Sequence, residues 1–519
     1  MYTIPTMKKL IVLLATITIL GLFLRLWHIG FGLPHSFYAD EPEIAELAIK
    51  YTYEIRNIIS QKDYFKLIPI SFVYGTFPTY LLTLATMFFS KMGNLLNLPF
   101  DKTSVYVFLR SFSSVLSFFV VPIVSYLYFK LFKDKLGTAI TFALLALNWK
   151  LIVHAHYINT DIFLTLLTSL SFLSLYNLYK SEEDTKWTVL TGILVGLAIG
   201  TKFTAVLTVP LYIYIILKRK DWKSIAGFIL VIFATFIISN PFSLIFANNF
   251  VFRMWEMLTK EGGLVFDSVD TSLLKYIFGL AWIVTPLILL MSLYGKWKGY
   301  KKSEDKPFHI FLILNVVFYL VFYSLQSRRV DRWLLPIVPI VLLYAGRGIV
   351  SLRRKFLFLP LLVLITISYL YFPVLLTTQF QEDTPKSAAY VWVRDNLSPS
   401  SNKLVYTEEG LDPMNKLLGE RVIQYQVYES ENAQFFMPED ANGYDYVILS
   451  SRPMQNFKRK QVREKFPFYA EKWDFFEEQI YESGNFKLIK SFELPKPNLI
   501  PLSDVFIYEN LNPPVRGSL

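Results

Sequence analysis

The chain has 519 residues, of which 53% are hydrophobic and 17% aromatic. A composition this apolar excludes an ordinary soluble protein of this length and predicts an integral membrane protein. The lack of cysteine excludes disulfides, thiolate nucleophiles and Cys-ligated metal sites. The net charge of +11 reflects Lys and Arg in short loops between apolar spans, as membrane orientation requires, so nucleic acid is not expected as a partner.

The first apolar segment runs from Leu10 to Leu24, after Lys8 and Lys9, and resembles a signal sequence. No small-x-small cleavage site follows it, and Arg25 with Trp27 is typical of an interface anchor. We therefore expect an uncleaved first membrane helix.

Further apolar segments follow along the chain, most of them long enough to span a bilayer. With the first, they lie at 8–27, 70–90, 104–129, 137–153, 162–179, 187–201, 203–217, 224–240, 272–294, 307–325, 332–346 and 355–374.

Segment 70–90 decides the orientation of everything after it. If it does not cross, most Lys and Arg of the later loops are cytoplasmic, including the five lysines between residues 296 and 306. If it crosses, this positive-inside bias is reversed. Its Gly75 and Pro78 suit a broken interfacial or re-entrant piece. The sequence thus predicts eleven spans, a cytoplasmic N-terminus and an extracytoplasmic C-terminal region in a multi-pass plasma-membrane protein.

The apolar spans stop near residue 380, and residues 380–519 predict a soluble extracytoplasmic α/β domain after a membrane domain of residues 1–379. An amphipathic helix is expected over Asp383–Asn396, and a helical stretch over Phe457–Glu482. The predicted strands lie at Leu404–Glu408, Val422–Tyr425, Tyr444–Ser450, Phe486–Phe492 and Val505–Glu509.

Three polar clusters from distant parts of the chain fall on the outer side in this topology. Asp40 and Glu41 follow the first span, a second cluster runs from His154 to Asp161, and a third runs from Gln326 to Arg332. Polar groups that gather at span ends on one face predict the walls of one site.

The residue types suit transfer of a sugar from a lipid-linked sugar phosphate. Such a reaction needs a carboxylate that takes a proton from the acceptor and cations for the leaving phosphate. Asp40 fits the base. Arg328, Arg329 and Arg332 fit a phosphate clamp, because guanidinium groups bind phosphate in a bidentate manner, and Lys202 adds a further cation.

Each of these residues also has a simpler interpretation. The three arginines are alternatively interface anchors, and Asp161 is alternatively the N-cap of the fourth span. His154 and His156 are two residues apart, which favours packing or hydrogen bonding over a metal pair. Arg110 either snorkels to the surface or lines the cavity.

Together these features resemble the GT-C membrane glycosyltransferases, in particular family 39, the dolichyl-phosphate-mannose protein mannosyltransferase type, and the bacterial aminoarabinose-type transferases. The resemblance rests on short motifs in a characteristic order. They are Tyr38-Ala39-Asp40-Glu41-Pro42-Glu43, Leu109-Arg110-Ser111, His156-Tyr157-Ile158-Asn159-Thr160-Asp161, the run from Gly196 to Ala205, Asn240-Pro241-Phe242, the run from Arg332 to Pro339, and the run from Asp383 to Leu397.

The resemblance implies a GT-C fold, that is, a polytopic α-helical membrane protein with about eleven transmembrane helices plus interfacial helices and a C-terminal extracytoplasmic α/β domain. It implies a polyprenyl-phosphate sugar donor, a hexose or pentose as the group transferred, an active site at the outer membrane face and inversion at the anomeric carbon. Asp40 matches the family's first-loop catalytic Asp, with Glu41 beside it, and Asp161 matches the acidic position of the second outer loop. Many relatives carry His-Pro-Pro or Lys-Pro-Pro at the start of the interfacial segment, whereas this chain has Tyr74 to Thr79 with one Pro and no charge.

The expected site therefore has three parts. Its catalytic residues are Asp40, Glu41 and Asp161, and its donor phosphate-binding residues are Arg328, Arg329, Arg332, Lys202 and Arg110. Its substrate-lining residues are His35, Tyr38, His154, His156, Tyr157 and Asn159.

Several points stay open at this stage. The acceptor is a protein, a lipid or a glycan. No cofactor is firmly implied, but an oligosaccharyltransferase-like enzyme with a divalent metal on its acidic residues is an alternative. A transporter or flippase of a lipid-linked substrate is another, which the lack of an apparent inverted repeat disfavours. A membrane-anchored binding protein whose outer domain does the work is a third.

Overall fold

The computed structural model describes residues 7–35, 38, 40–69, 72, 74–97, 99–181, 184–218, 222–259, 272–326, 329–356, 358–408, 422–425, 440–465 and 467–513. Arg328, one of the expected phosphate-binding arginines, lies outside these residues, as does Ala39 of the first acidic motif.

Helices make up the first three quarters of the described chain. The α-helices are α1 (Met7–Leu26), α2 (Asp40–Gln61), α3 (Phe77–Leu96), α4 (Lys102–Phe118), α5 (Val120–Phe132), α6 (Lys135–Ala146), α7 (Trp149–Ala155), α8 (Thr160–Lys180), α9 (Asp184–Ile199), α10 (Val209–Leu217), α11 (Trp222–Ser239), α12 (Phe242–Ile245), α13 (Ala247–Thr259), α14 (Leu273–Val284), α15 (Pro286–Lys302), α16 (Lys306–Ser324), α17 (Val338–Ser351) and α18 (Phe358–Gln379). Short 3-10 helices lie at Tyr64–Leu67, Phe203–Thr208 and Asp331–Ile337.

Among the described residues, seven helices are long and apolar enough to cross a membrane, and two further pairs of helices qualify if each bent pair is one span. Two shorter apolar helices, Thr185–Ile199 and Phe203–Leu217, complete the set. These segments coincide with the eleven predicted spans, which confirms a multi-pass membrane fold. Helix α3 is not among them, in keeping with an interfacial position. Which side of the membrane each loop faces stays a prediction.

The predicted span 272–294 is not one straight helix. Helices α14 and α15 meet at an angle of 102°. Thr285, between them, has a positive φ of 70°. Pro286 then opens α15, since its fixed φ suits the first turn of a helix but its ring does not allow a preceding turn to continue.

A second bend, of 49°, separates α6 from α7 and sets the direction of the loop that follows. The carbonyl groups freed at this break accept hydrogen bonds from the Arg25 guanidinium, at 2.6 Å for Ala146 and 3.4 Å for Leu145. Asn148 caps α7 by accepting from the Leu151 amide at 3.1 Å. Arg25 is 1% exposed, so the prediction of an interface anchor was wrong for this residue, which stabilises a broken helix inside the bundle.

The C-terminal region contains a five-stranded sheet with helices packed on it. Its strands are β1 (Lys403–Glu408), β2 (Val422–Tyr425), β3 (Tyr446–Ser450), β4 (Phe486–Phe492) and β5 (Val505–Asn510), in the spatial order β2-β1-β3-β5-β4. Strands β2, β1 and β3 are parallel, and β5 runs antiparallel to both of its neighbours. The helices are α19 (Pro385–Asn396), α20 (Ser451–Phe457), α21 (Lys460–Lys465) and α22 (Pro467–Tyr481).

The predicted strands are confirmed, while the predicted helical stretch 457–482 consists of α21, α22 and the end of α20. The division of the chain into domains at residue 379 stays a prediction.

The segment between β4 and β5 returns to the membrane helices. The Gln379 side chain, at the end of α18, donates to the Pro495 and Pro497 carbonyls at 2.6 and 2.7 Å and accepts from the Leu499 amide at 3.0 Å. Apolar side chains of this segment share one core with the loop after α1. That core contains Phe31, Tyr38, Trp149, Tyr157, Phe380, Leu494, Leu499, Ile500 and Leu502.

Candidate active site

Asp40 is the first residue of α2 and lies on the accessible side of the site. A carboxylate in the first turn of a helix is favoured by the helix dipole, and Glu41 and Glu43 share this turn. The Arg332 guanidinium contacts the Asp40 carboxylate at 2.6 Å, and the two side chains are 20% and 16% exposed. Both groups are therefore within reach of a substrate.

Glu41 points into the protein instead. Its carboxylate accepts two hydrogen bonds from Arg110, at 2.8 and 2.7 Å, and a third from the Ile158 amide at 3.1 Å. The remaining Arg110 nitrogen donates to the carbonyls of Ile29 and Phe31 at 3.0 and 2.9 Å. Arg110 and Glu41 are 1% and 0% exposed. Neither is open to a substrate, although one was expected to be catalytic and the other to bind phosphate.

This closed pair nevertheless holds the site together. It joins α2, α4, the loop after α1 and the loop before α8 through charge-assisted hydrogen bonds, which are stronger than neutral ones. Because Glu41 follows Asp40 directly on α2, the pair also sets the position of Asp40. Arg110 is buried, so the alternative that it snorkels to the surface is wrong.

Asp161 forms the second acidic position. Its carboxylate contacts the Lys202 ammonium at 2.6 Å and Arg332 at 3.5 Å. Burial acts to lower the pKa of Lys202, but Asp161, with smaller contributions from Tyr323 and Asp40, outweighs this and raises the pKa above its ordinary value, so the ammonium stays charged. The N-cap of α8 is Asn159, which accepts from the Ile162 amide at 3.2 Å, so Asp161 is free of that role.

Arg332 links the two acidic positions, since the same guanidinium contacts both Asp40 and Asp161. The structure thus brings together four of the sequence-predicted residues, two carboxylates and two cations, from α2, α8, the turn after α9 and the 3-10 helix before α17.

Aromatic rings surround these charges. Tyr38 stacks on Tyr157 with ring centroids 4.4 Å apart, and the Arg332 guanidinium lies 5.3 Å from the Tyr38 ring centre. The Lys202 ammonium lies 5.7 Å from the ring centre of Trp333. Cations that lie over aromatic faces in a partly desolvated site have already lost part of their hydration shell. They can therefore bind an anion at a lower desolvation cost.

The other expected residues lie farther from this centre. Arg329 pairs with Asp331 at 3.1 Å in its own loop. His35 is partly exposed in the turn before Asp40. His156 is fully buried, stacked on Phe380 at 3.8 Å, with its two ring nitrogens 2.9 and 3.0 Å from backbone carbonyls. Burial lowers the pKa of His156 to about 4, although the two carbonyls act in the opposite direction.

His154 differs from His156 in one respect. It is 3% exposed, and both of its ring nitrogens lack a hydrogen-bond partner among the described residues. The amide of Asn159 donates to the His154 carbonyl at 2.9 Å, which fixes the loop between α7 and α8.

No group of three or more His, Asp or Glu side chains is placed to hold a metal ion in the part of the chain that the structure describes. Oxygens of Asp40 and Asp161 that would bind a cation are bonded to Arg332 and Lys202. Protein cations therefore occupy positions beside both carboxylates.

Sequence reasoning missed the contribution of the loop before α3. Burial, followed by the charge of Asp40, raises the pKa of Tyr74 on this loop well above its ordinary value. Asn240, at the end of α11, accepts from the Thr76 amide at 2.7 Å and ties that loop down. The motif containing Asn240 was noticed, but a hydrogen bond to a residue so distant in the chain leaves no local sequence signal.

The bundle of apolar helices with its C-terminal sheet region has a fold of the GT-C type, like that of the solved structures named below. Residues 15–258 match the model of the family "Dolichyl-phosphate-mannose-protein mannosyltransferase", and the matched part includes the Asp40 and Asp161 loops and Lys202. This family match confirms the type of protein expected from the sequence.

Proteins similar to this chain include two solved structures and one curated protein. ArnT from Cupriavidus metallidurans bound to undecaprenyl phosphate has a TM-score of 0.55 and 12% identity, covering 97% of this chain and 98% of that one. ArnT from the same organism in the apo state has a TM-score of 0.53 and 12% identity, covering 96% and 98%. These likenesses show the fold. The Alpha-1,2-mannosyltransferase ALG9 of Mus musculus is 21% identical over 181 residues, which are 32% of this chain and only 29% of that relative's length.

Proposed function

We propose that the protein transfers a sugar from a polyprenyl-phosphate donor to an acceptor at the outer face of the membrane, with inversion at the anomeric carbon. The observation that carries the proposal is the linkage of Asp40 and Asp161 through Arg332, with Lys202 on the second carboxylate. A base and two phosphate-binding cations thus lie side by side at the ends of apolar helices. ArnT, which shares the fold, was solved with undecaprenyl phosphate bound, and this supports the class of donor.

In the proposed reaction, the Asp40 carboxylate takes the proton of the acceptor hydroxyl as the acceptor oxygen forms a bond to the anomeric carbon. The bond from that carbon to the phosphate oxygen breaks, and polyprenyl phosphate leaves with the electron pair. Arg332 and Lys202 stabilise the negative charge that this oxygen gains. The position of the attacking oxygen, opposite the leaving phosphate, accounts for the inversion.

Arg332 connects donor binding to the base. Its guanidinium contacts Asp40 at 2.6 Å, and a phosphate held by the same guanidinium competes for its hydrogen bonds. Donor binding then frees Asp40 for the acceptor.

The aromatic side chains and the surrounding lipid suit such a donor. The apolar helices lie in the bilayer, where the polyprenyl chain of the donor also stays. The charged centre holds the donor phosphate near the membrane surface. The acceptor, which is a protein, a lipid or a glycan, approaches from the extracytoplasmic side, where we also place the sheet region. Whether the sugar is a hexose or a pentose is left to experiment.

The test compares the wild type with Asp40→Asn in membranes supplied with radiolabelled polyprenyl-phosphate sugars. We expect wild type to release polyprenyl phosphate or transfer label, and the variant to lose at least 100-fold in rate, as is usual for the loss of a general base. Asp101→Asn is the matched control, because Asp101 is an exposed N-cap of α4 and Asn caps equally well.

Equal turnover in wild type and Asp40→Asn would remove Asp40 from the chemistry. If no donor is consumed by wild type with protein, lipid and glycan acceptors, and none binds, the glycosyltransferase proposal fails.

A further inference from the structure

The end of α18 holds the segment between β4 and β5 through one side chain, an arrangement that we call the Gln379 clamp. The Gln379 side-chain amide donates to the carbonyls of Pro495 and Pro497 at 2.6 and 2.7 Å, and its oxygen accepts from the Leu499 amide at 3.0 Å. Gln379 is 2% exposed. All three bonds go to the backbone of one segment, whose position beside the membrane helices is therefore fixed.

A row of aromatic rings leads from the Gln379 clamp to the active site. Phe380, the next residue after Gln379, has its ring centre 4.9 Å from that of Phe31. Phe31 meets Tyr157 edge to face at 5.3 Å, and Tyr157 stacks on Tyr38 at 4.4 Å. These separations are typical of favourable aromatic contacts, so the four rings form one continuous row.

The aromatic row belongs to a core that the sheet region completes. All four rings are buried, and they share one apolar cluster with side chains of the segment between β4 and β5. Those side chains are Leu494, Leu499, Ile500 and Leu502. A shift of this segment therefore shifts the row, because close-packed interiors transmit strain.

Tyr38 lies at the end of the row that faces the charged centre. The Arg332 guanidinium is 5.3 Å from its ring centre and contacts Asp40 at 2.6 Å and Asp161 at 3.5 Å. The Tyr38 carbonyl accepts from the Glu41 amide at 3.0 Å, in the first turn of α2. Tyr38 thus adjoins both the start of α2 and the cation that links the two acidic positions.

The Tyr38 ring differs from the other partners of Arg332. In the proposed reaction a donor phosphate takes over hydrogen bonds that the guanidinium makes to Asp40, so these contacts change as the donor binds. The ring stays in place, because the rest of the row packs behind it. A long side chain loses considerable entropy when it is ordered, and a fixed ring beside it reduces the loss that binding must still overcome.

We propose that the segment between β4 and β5 is a structural part of the active site: through the Gln379 clamp and the aromatic row it positions Tyr38, whose ring orients the Arg332 guanidinium for the donor phosphate. Gln379 and Tyr38 are then positioning residues that act through Arg332. The inference rests on the proposed function, and it gives the C-terminal sheet region a task in donor binding.

The first experiment measures binding of radiolabelled undecaprenyl phosphate and dolichyl phosphate to the full-length protein. Tyr38→Leu removes the aromatic face and should weaken binding about tenfold, within the range of a partly desolvated cation–π contact. Tyr38→Phe is the matched control. It keeps the ring and loses a hydroxyl that has no hydrogen-bond partner among the described residues, so its affinity should stay within about twofold of wild type.

The second experiment changes the other end of the row. Gln379→Leu deletes the clamp and should weaken binding about fivefold, which corresponds to the loss of roughly one neutral hydrogen bond. Gln381→Leu is its control, because the exposed Gln381 side chain bonds to the Thr377 and Thr378 carbonyls of α18 at 3.0 and 3.3 Å. That variant should bind polyprenyl phosphate as wild type does.

A double-mutant cycle separates positioning from a general loss of stability. In an Arg332→Ala background, where Lys202 still provides a cation, Gln379→Leu and Tyr38→Leu should have no further effect on binding. The reason is that the guanidinium through which they act has been removed. A general loss of stability would instead weaken binding by the same factor with or without Arg332.

Equal binding in Tyr38→Leu and Tyr38→Phe, or full additivity with Arg332→Ala, would overturn the positioning role, while loss of transfer in Asp40→Asn would leave the proposed function standing. If Gln379→Leu does not fold, the two Tyr38 variants and their cycle with Arg332→Ala decide the question alone. If wild type binds neither polyprenyl phosphate and transfers no sugar, the proposed function fails, and this inference fails with it.

Discussion

Removal of Arg110 is the sharpest test of how this site is held. Arg110→Leu deletes two hydrogen bonds to Glu41 and those to the Ile29 and Phe31 carbonyls, all from a guanidinium that is 1% exposed. Glu41 then loses both hydrogen bonds from its ion-pair partner, while the Ile158 amide still donates to it. Breaking a buried ion pair by removing one partner costs about 3–5 kcal/mol of folding free energy.

The assay is thermal or denaturant-induced unfolding of the detergent-solubilised protein. It is applied to a double-mutant cycle of Arg110→Leu and Glu41→Leu. Arg110→Leu/Glu41→Leu should be more stable than Arg110→Leu alone, because the second substitution removes the buried carboxylate that has lost its ion-pair partner. Both variants should turn over slowly, since Asp40 loses the neighbour that positions it.

The control is Lys102→Ala. Lys102 pairs with Glu46 at 2.6 Å and joins α4 to α2, as Arg110 does, but its side chain and that of Glu46 are 56% and 53% exposed. Such a surface pair contributes about 0–1 kcal/mol. Equal losses of stability in Lys102→Ala and Arg110→Leu, or a double variant less stable than Arg110→Leu, would refute the argument.

Three further results are expected. Gly75→Ala should lower activity severely, because its new Cβ would lie 1.9 Å from the Gly200 carbonyl oxygen; wild-type kinetics would show that the loop is not held there. Burial lowers the pKa of His156 to about 4, so its contribution to stability is present above pH 6.5 and is lost as the pH falls towards 4. Unfolding curves of His156→Gln should therefore depend less on pH in that range, and an unchanged pH dependence would contradict this. Treatment with a chelator should leave turnover intact, because carboxylate oxygens of Asp40 and Asp161 are bonded to Arg332 and Lys202; a loss of activity that Mg²⁺ or Mn²⁺ restores would favour the oligosaccharyltransferase-like alternative.

Much of the architecture was readable from local pattern. Apolar segments predicted the seven membrane-spanning helices, the two bent pairs and the two shorter apolar helices of the described residues. Alternation and turn residues predicted the five strands, with β2 and β4 correct to the residue. Helices and strands of this kind are set by residues that are close together in the sequence, so they can be predicted from a single chain segment. The bend of 102° at Thr285 was missed, because Pro286 alone also fits a straight helix start.

The candidate site contains features that local sequence pattern cannot predict. Sequence placed Asp40, Asp161, Lys202 and Arg332 on one face, and the structure brings them into contact. It also placed Glu41 among them. Successive helical residues project about 100° apart, so one of two adjacent carboxylates faces the site while the other enters the core.

The sequence by itself determined that this is a multi-pass membrane protein with acidic first and second loops that resembles the GT-C type, because composition, periodicity and short motifs are properties of contiguous residues. Only the tertiary structure decided which carboxylate is buried with Arg110, that Arg332 joins the two acidic positions, and that Lys202 pairs with Asp161. Those contacts join residues far apart in the chain, and they exist only once the helices have packed and set the distances between them.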